Sequence, residues 1–206
     1  TGVQTCALPI LARPYGDAAI AAMSIVMRIT QFAASMMIGF GQGFQPVCGF
    51  NYGARKYARV KEGFWFCVRV STCFLFVMAI LGWFGAEWLV SIFRKGDPDV
   101  IRYGTRALRL QCLSFPLVGW ITMCNMMMQT MGKGVRATIL AMSRQGLFFI
   151  PLVLTLPAYM GLFGVQVSQP ISDVISFLVA IPLQIGLLRE MTRDMKRMEM
   201  EERQTT

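Results

Sequence analysis

The sequence predicts an all-α integral membrane protein with five transmembrane helices. Three observations carry that prediction. Hydrophobic residues make up 55% of the 206-residue chain and charged residues only 15%, where an average soluble domain carries about 25% charged residues. Mean hydropathy is +0.52, and the 16 Met and 15 Phe add more apolar bulk than one water-facing core of this size can bury. The charges cluster, which leaves long apolar stretches joined by linkers too short for a soluble domain.

A spanning helix needs about 20 mostly apolar residues. The first qualifying stretch covers about 18–44, the second 64–93, the third 107–131, the fourth 137–160 and the fifth 163–188. None alternates apolar with polar positions, so barrel strands are excluded. Several stretches carry Gly/Pro interruptions. GFGQGFQPVCGFNYGA closes the first, Pro116 interrupts the third, Pro151 and Pro157 the fourth, Pro170 and Pro182 the fifth. Broken helices free backbone carbonyls at membrane depth, which only protein or a watery cavity can receive, and they are a feature of secondary transporters. Residues 191–206 mix both charge signs and are expected to extend the last helix as a charged cytoplasmic tail. The first ten residues, TGVQTCALPI, read as a translated sequencing-library adapter, so the native text is expected to begin near Leu11.

Net charge is +9, from 20 basic and 11 acidic residues. Arg55, Lys56, Arg59, Lys61, Lys133, Arg136, Arg189, Arg193, Lys196, Arg197 and Arg203 give eleven basic residues on one side, against five (Arg13, Arg94, Lys95, Arg102 and Arg106) on the other. The richer side is expected to be cytoplasmic, with the carboxyl terminus inside. The excess charge therefore reports topology and not a nucleic-acid partner. There is no His, which excludes an imidazole triad or a His metal site. No metal site or cofactor is expected. Of the six Cys none forms a CxxC pair, and Cys67, Cys73, Cys112 and Cys124 lie in apolar stretches as small hydrophobes. No HExxH or GxSxG motif supports an intramembrane enzyme.

Polar residues inside a span are expensive and point to function. Arg69 and Arg109 lie near span ends and can snorkel to water. Arg28 and Arg144 lie deeper, with Gln145 following Arg144, and a cavity-facing or inter-helix role stands beside snorkelling for both. Asp173 is the one acidic residue well inside a span. It is a candidate for carrying a coupling proton or cation, with structural hydrogen bonding by its Ser and Gln neighbours the stronger reading. Glu87 is expected to meet water. MCNMMMQT, residues 123–130, suggests with Trp120, Phe148 and Phe149 an adaptable drug-binding wall. Consecutive Met cover every helix face, however, so packing against lipid and neighbours is the stronger reading.

Six segments, in order, resemble one family. YGD at 15–17 is followed by AIAAMSIVMRI and GFGQGFQPVCGFNYGARKYARVKEG, then QTMGKG at 129–134, SRQGLFFIPLVLTLP at 143–157 and GLFGVQVSQPISD at 161–173. Together they resemble the second half of the MATE family, the multidrug and toxic compound extrusion transporters. The resemblance covers residues 11–190, and QPVCGFNYGARK is its most specific piece.

The resemblance implies a twelve-helix antiporter of two six-helix lobes that rock about a central cavity. Such a protein exports amphipathic or cationic compounds in exchange for H+ or Na+. The chain would hold helices eight to twelve of the carboxyl-terminal lobe, in a plasma membrane such as the bacterial inner membrane. Its partners would be the bilayer, small-molecule substrates and the missing amino-terminal lobe of the same chain. Residues 11–206 alone are expected not to transport, since alternating access moves one repeat against another. Many members bind the coupling cation with acidic residues on helices seven and ten. The first is absent here, and the equivalent of the second offers Gln111, Asn125 and Gln129 but no Asp or Glu. Gln42, Gln45 and Asn51 are expected to line the cavity, with Arg144 and Gln145 as further candidates. A flippase for lipid-linked sugars, of the same wider superfamily, is the alternative, and Arg28, Arg109 and Arg144 would then meet pyrophosphate.

Overall fold

The computed structural model describes residues 16–94 and 97–205. The adapter-like segment 1–10, Arg13 and Lys95 lie outside them. Every element is helical: α1 (Asp17–Gly53), α2 (Tyr57–Phe93), α3 (Pro98–Thr130), α4 (Gly134–Met142), a π-helical turn (Ser143–Leu147), α5 (Phe149–Met160) and α6 (Leu162–Thr205). α1, α2, α3 and α6 are each long and apolar enough to cross a membrane. The fourth expected span is instead assembled from α4, the π turn and α5.

α3 is the central helix. Of its apolar stretch 61% is buried, against 28–33% in the other three, and it packs on α1, α2, α4 and α6. Its sequence explains its start. Asp97 caps it, accepting from the Val100 amide at 3.4 Å, with Pro98 at the first position and Asp99 in the first turn. Its end is a tight turn in which Gly132 takes φ 72° and Lys133 N–H donates to the Met128 carbonyl at 3.0 Å. α2 shows the opposite character. Phe66, Phe76, Leu81, Phe84 and Trp88 are exposed on its surface, as expected where lipid is the solvent. Phe64 and Trp65 of α2, Trp120 of α3 and Phe177 of α6 form one aromatic cluster with centroids 5.7–6.3 Å apart.

Most of the expected interruptions are absent. α1 runs unbroken through the Gly-rich stretch and Pro46, α3 through Pro116, and α6 through Pro170 and Pro182. Neighbouring helices hold a proline-containing helix in place at membrane depth, so proline alone does not end it. The one rupture is the π turn, upstream of Pro151.

The basic linkers and the tail meet at one end of the bundle. Lys133 and Arg136 both pair with Glu190, the latter at 3.1 Å, and Lys61 Nζ donates to Thr192 Oγ1 at 2.6 Å. Glu190 lies beyond the apolar stretch of α6. The Lys133 hydrogen bond, more than any other influence, holds its carboxyl below the ordinary carboxylate range. A depressed carboxyl stabilises the fold above its unfolded pKa, and that contribution is lost as pH falls through the folded value. The pair is partly exposed, so Glu190→Gln should cost under about 1 kcal/mol at pH 7. Thermal melts of the intact protein should show that difference shrinking as pH falls below about 4.

The α5–α6 hairpin depends on close backbone approach. A Cβ at Gly164 would stand 2.4 Å from the Leu156 carbonyl oxygen. Gly164→Ala should therefore lower stability by about 1–3 kcal/mol through overpacking. Gly85→Ala, where nothing lies within 4 Å, should leave the melting temperature unchanged or raise it.

Candidate functional site

A cavity of about 240 Å³ lies between α1, α3, the α4–π segment and the first turns of α6. α1 contributes Met23, Met27, Thr30, Gln31 and Met37, and α3 contributes Gln111, Thr122, Asn125, Met126 and Gln129. Arg144 closes it from the π turn, and Gln166 and Gln169 from α6. The wall is apolar with several amides. Among the described residues that line it, Arg144 carries the one formal charge.

The π turn sets Arg144. In a regular helix Phe148 N–H would donate to the Arg144 carbonyl. Here it reaches one residue further back, to the Ser143 carbonyl at 3.3 Å. Pro151 accounts for the strain, because it offers no N–H to the Leu147 carbonyl and crowds the preceding turn. Gly146 within the turn accepts the distortion. The released Arg144 carbonyl is not left bare, since Ser172 Oγ of α6 donates to it at 2.9 Å.

The next residue on α6 holds the side chain. Arg144 Nε donates to Asp173 Oδ1 at 2.9 Å. Asp173 is 0% exposed, while Arg144 keeps 24% of its side chain open. Gln169 Nε2 adds a second donor to Oδ1 at 3.2 Å, and Gln111 Nε2 reaches Oδ2 at 3.4 Å. Three elements therefore converge on one carboxylate. An ion in a bilayer needs such partners, and a buried pair broken on one side costs about 3–5 kcal/mol.

The remaining predicted residues divide cleanly. Gln111, Asn125, Gln129 and Arg144 line the cavity. Asn125 Nδ2 donates to the Ala137 carbonyl at 2.9 Å, and Gln129 Nε2 donates to Asn125 Oδ1. Gln42, Gln45 and Asn51 do not line it. They stand on α1 beyond Ile38, its last lining residue; Gln42 is exposed, and Asn51 bonds the Val47 carbonyl of its own helix at 2.8 Å. The Gln145 side chain lies outside the described residues. Asp173 sits behind the cavity wall, fixing Arg144, and is not itself a lining residue.

The methionine wall is differently made from the one read in the sequence. Met123, Met127 and Met128 are fully buried core residues, and of the methionines in that run only Met126 lines the cavity. The adaptable surface comes mainly from Met23, Met27 and Met37 of α1. Trp120 belongs to the aromatic cluster, and neither Phe148 nor Phe149 lines the cavity. Gln31 and Gln166 went unread in the sequence. Gln169 was read there only as a hydrogen-bonding neighbour of Asp173, four residues on along the same helix face.

Comparison with known proteins assigns this helix arrangement. The family model MatE matches residues 5–155. The chain belongs to the MatE family. Among similar proteins, the multidrug export protein MepA of Staphylococcus aureus (strain MSSA476) is 32% identical over 177 residues, 85% of this chain and 38% of that protein. MepA of Staphylococcus haemolyticus is 28% identical over 194 residues, 94% of this chain and 42% of that protein. Among solved structures, a complex of the MATE multidrug transporter DinF-BH aligns at 35% identity and TM-score 0.76, over 86% of this chain and 40% of that one. A MATE structure in complex with MaL6 shares the fold at TM-score 0.86 and 17% identity, over 93% and 44%. The chain thus spans about two fifths of the MatE relatives it matches. MatE membership and the four long apolar helices make it a multi-pass membrane protein.

The π-turn clamp generates a direct prediction. Ser172→Ala removes the α6 donor to the part-buried Arg144 carbonyl and should cost about 0.5–1.5 kcal/mol in thermal melts of the intact protein. Ser176 is equally buried on α6, but its hydroxyl has no partner among the described residues. Ser176→Ala should therefore be neutral or stabilising.

Proposed function

We propose that this chain is the carboxyl-terminal lobe of a multidrug efflux antiporter. It would export amphipathic or cationic compounds against H+ or Na+ by rocking of two lobes. The observation that carries the reading is the cavity, a methionine-walled, amide-studded chamber inside a lobe of the MatE family. Flexible Met side chains suit varied apolar partners, and amides both donate and accept. MepA and DinF-BH, each described as a multidrug protein, support the substrate class.

The coupling carboxylate belongs in this reading to the other lobe. Asp173 is committed to Arg144, Gln169 and Gln111, which suits a positioning role. The meeting of the basic linkers and the tail at one end supports a cytoplasmic carboxyl terminus in a bacterial inner membrane. The flippase reading is weaker. Of its three arginines only Arg144 lines the cavity, and Asp173 neutralises it. Arg109 Nε instead donates to the Trp83 carbonyl at 3.3 Å, and Arg28 is exposed.

The intact gene, expressed in an efflux-deficient bacterial host loaded with a cationic dye, tests the proposal. Dye should be lost while ion gradients are maintained and retained once they are collapsed. Retention of dye in both conditions would overturn export.

A further inference from the structure

α1 carries three glycines at alternate positions, Gly39, Gly41 and Gly43, and a neighbour presses on one of them. A Cβ at Gly39 or Gly43 would meet nothing within 4 Å. A Cβ at Gly41 would overlap the sulfur of Met126, and would stand 2.9 Å from the terminal methyl of Met126 and 3.1 Å from that of Met123. Gly41 is buried, while Gly39 and Gly43 are exposed. The backbone at Gly41 is regular α-helix without a positive φ. The conformational freedom of glycine is therefore unused there, and alanine would serve the helix better. What Gly41 supplies is space, and the Met126 thioether fills it.

Met126 belongs to the cavity wall and Gly41 does not. Met37 and Ile38, one turn before Gly41 on the same helix, also line the cavity. The Met126 side chain thus borders the open space and folds back onto bare backbone at Gly41. A methyl group there would force it elsewhere, because close-packed atoms cannot overlap. The side toward Met123 is filled, since Met123 is 0% exposed in the core. Met126 is half-buried, and the cavity is the open direction. A methionine side chain is flexible enough to swing into it.

We propose that Gly41 is a specificity-determining residue. By receiving the Met126 side chain, it sets the upper size limit of the compounds this cavity takes. The proposal rests on the export reading and adds a size limit to it. Gly41→Ala introduces no charge and no polar group, and Gly41 is no hydrogen-bonding partner of the Arg144 or amide side chains of the wall. The change therefore acts through the shape of the cavity alone.

The test uses the intact protein, reconstituted in liposomes, and a graded series of fluorescent cationic probes. All share one head group and differ in the size of the aromatic body, so any contribution of the Arg144 guanidinium is common to the series. The wild type should show a size beyond which binding falls. Gly41→Ala should move that cut-off to smaller bodies, weakening the largest probe the wild type binds by about tenfold, on the scale of one overpacked contact. Gly43→Ala should leave the cut-off where it is. Met126→Ala should move it to larger bodies, and Gly41→Ala added to Met126→Ala should move it no further down than the wild type. An unchanged cut-off in folded Gly41→Ala overturns the proposal. So does an equal loss from Gly41→Ala with and without Met126, which would place the effect in the spacing of α1 and α3. If Gly41→Ala does not fold, Met126→Ala carries the test, and an unchanged cut-off there overturns it. If the wild type binds and exports every probe alike, the size limit falls and export stands. If it binds and exports none, the export reading falls and takes the size limit with it.

Discussion

The pairing of Arg144 with Asp173 is the interaction on which the arrangement of this lobe depends. A guanidinium in the middle of an apolar helix demands a counter-charge, and α6 supplies it from a fully buried position. The adjacent Ser172 hydroxyl satisfies the backbone carbonyl that the π turn opens. Two successive residues of one helix therefore fix both the side chain and the main chain of a single residue on another. Without them, a broken helix would lose the α6 partners of both its opened carbonyl and its charge at membrane depth.

The consequences reach the cavity. Because Asp173 draws in Gln111 from α3 and Gln169 from its own helix, the amide nitrogens turn toward protein. The wall that results is mostly apolar, with amides and the partly exposed Arg144 guanidinium set into it. α3 makes this possible by standing at the centre. Small residues such as Gly119, which approaches Ser71 and Leu75 of α2, let its neighbours come close. α2 then covers the outside with large side chains facing lipid.

Much of this was legible in the sequence. Apolar length alone pointed to the four long helices, the asymmetry of basic residues grouped the linkers that meet the tail at Glu190 and Thr192, and the ordered motifs named the family. Gln111, Asn125, Gln129 and Arg144 were legible as polar residues out of place in apolar runs. Other features were not. The partner of Arg144 lies 29 residues away and that of Gln111 lies 62 away, and no local period links them. Proline content suggested breaks in three spans, yet packing against neighbours holds the helix at Pro116 and Pro170 and fails only before Pro151. Gln42, Gln45 and Asn51 looked like lining residues because they are polar and close together. Their place beyond the cavity is set by the length of α1, which the Gly-rich composition concealed.

A double-mutant cycle on Arg144 and Asp173 tests the central claim most directly. Thermal stability of the intact protein would be measured for Arg144→Met, Asp173→Asn and the combined variant. The two changes should be strongly non-additive, with a coupling of about 1.5–3 kcal/mol and a combined variant more stable than the sum of its parts predicts. Additivity within about 0.5 kcal/mol would contradict the account, because it would show that these side chains do not sense each other.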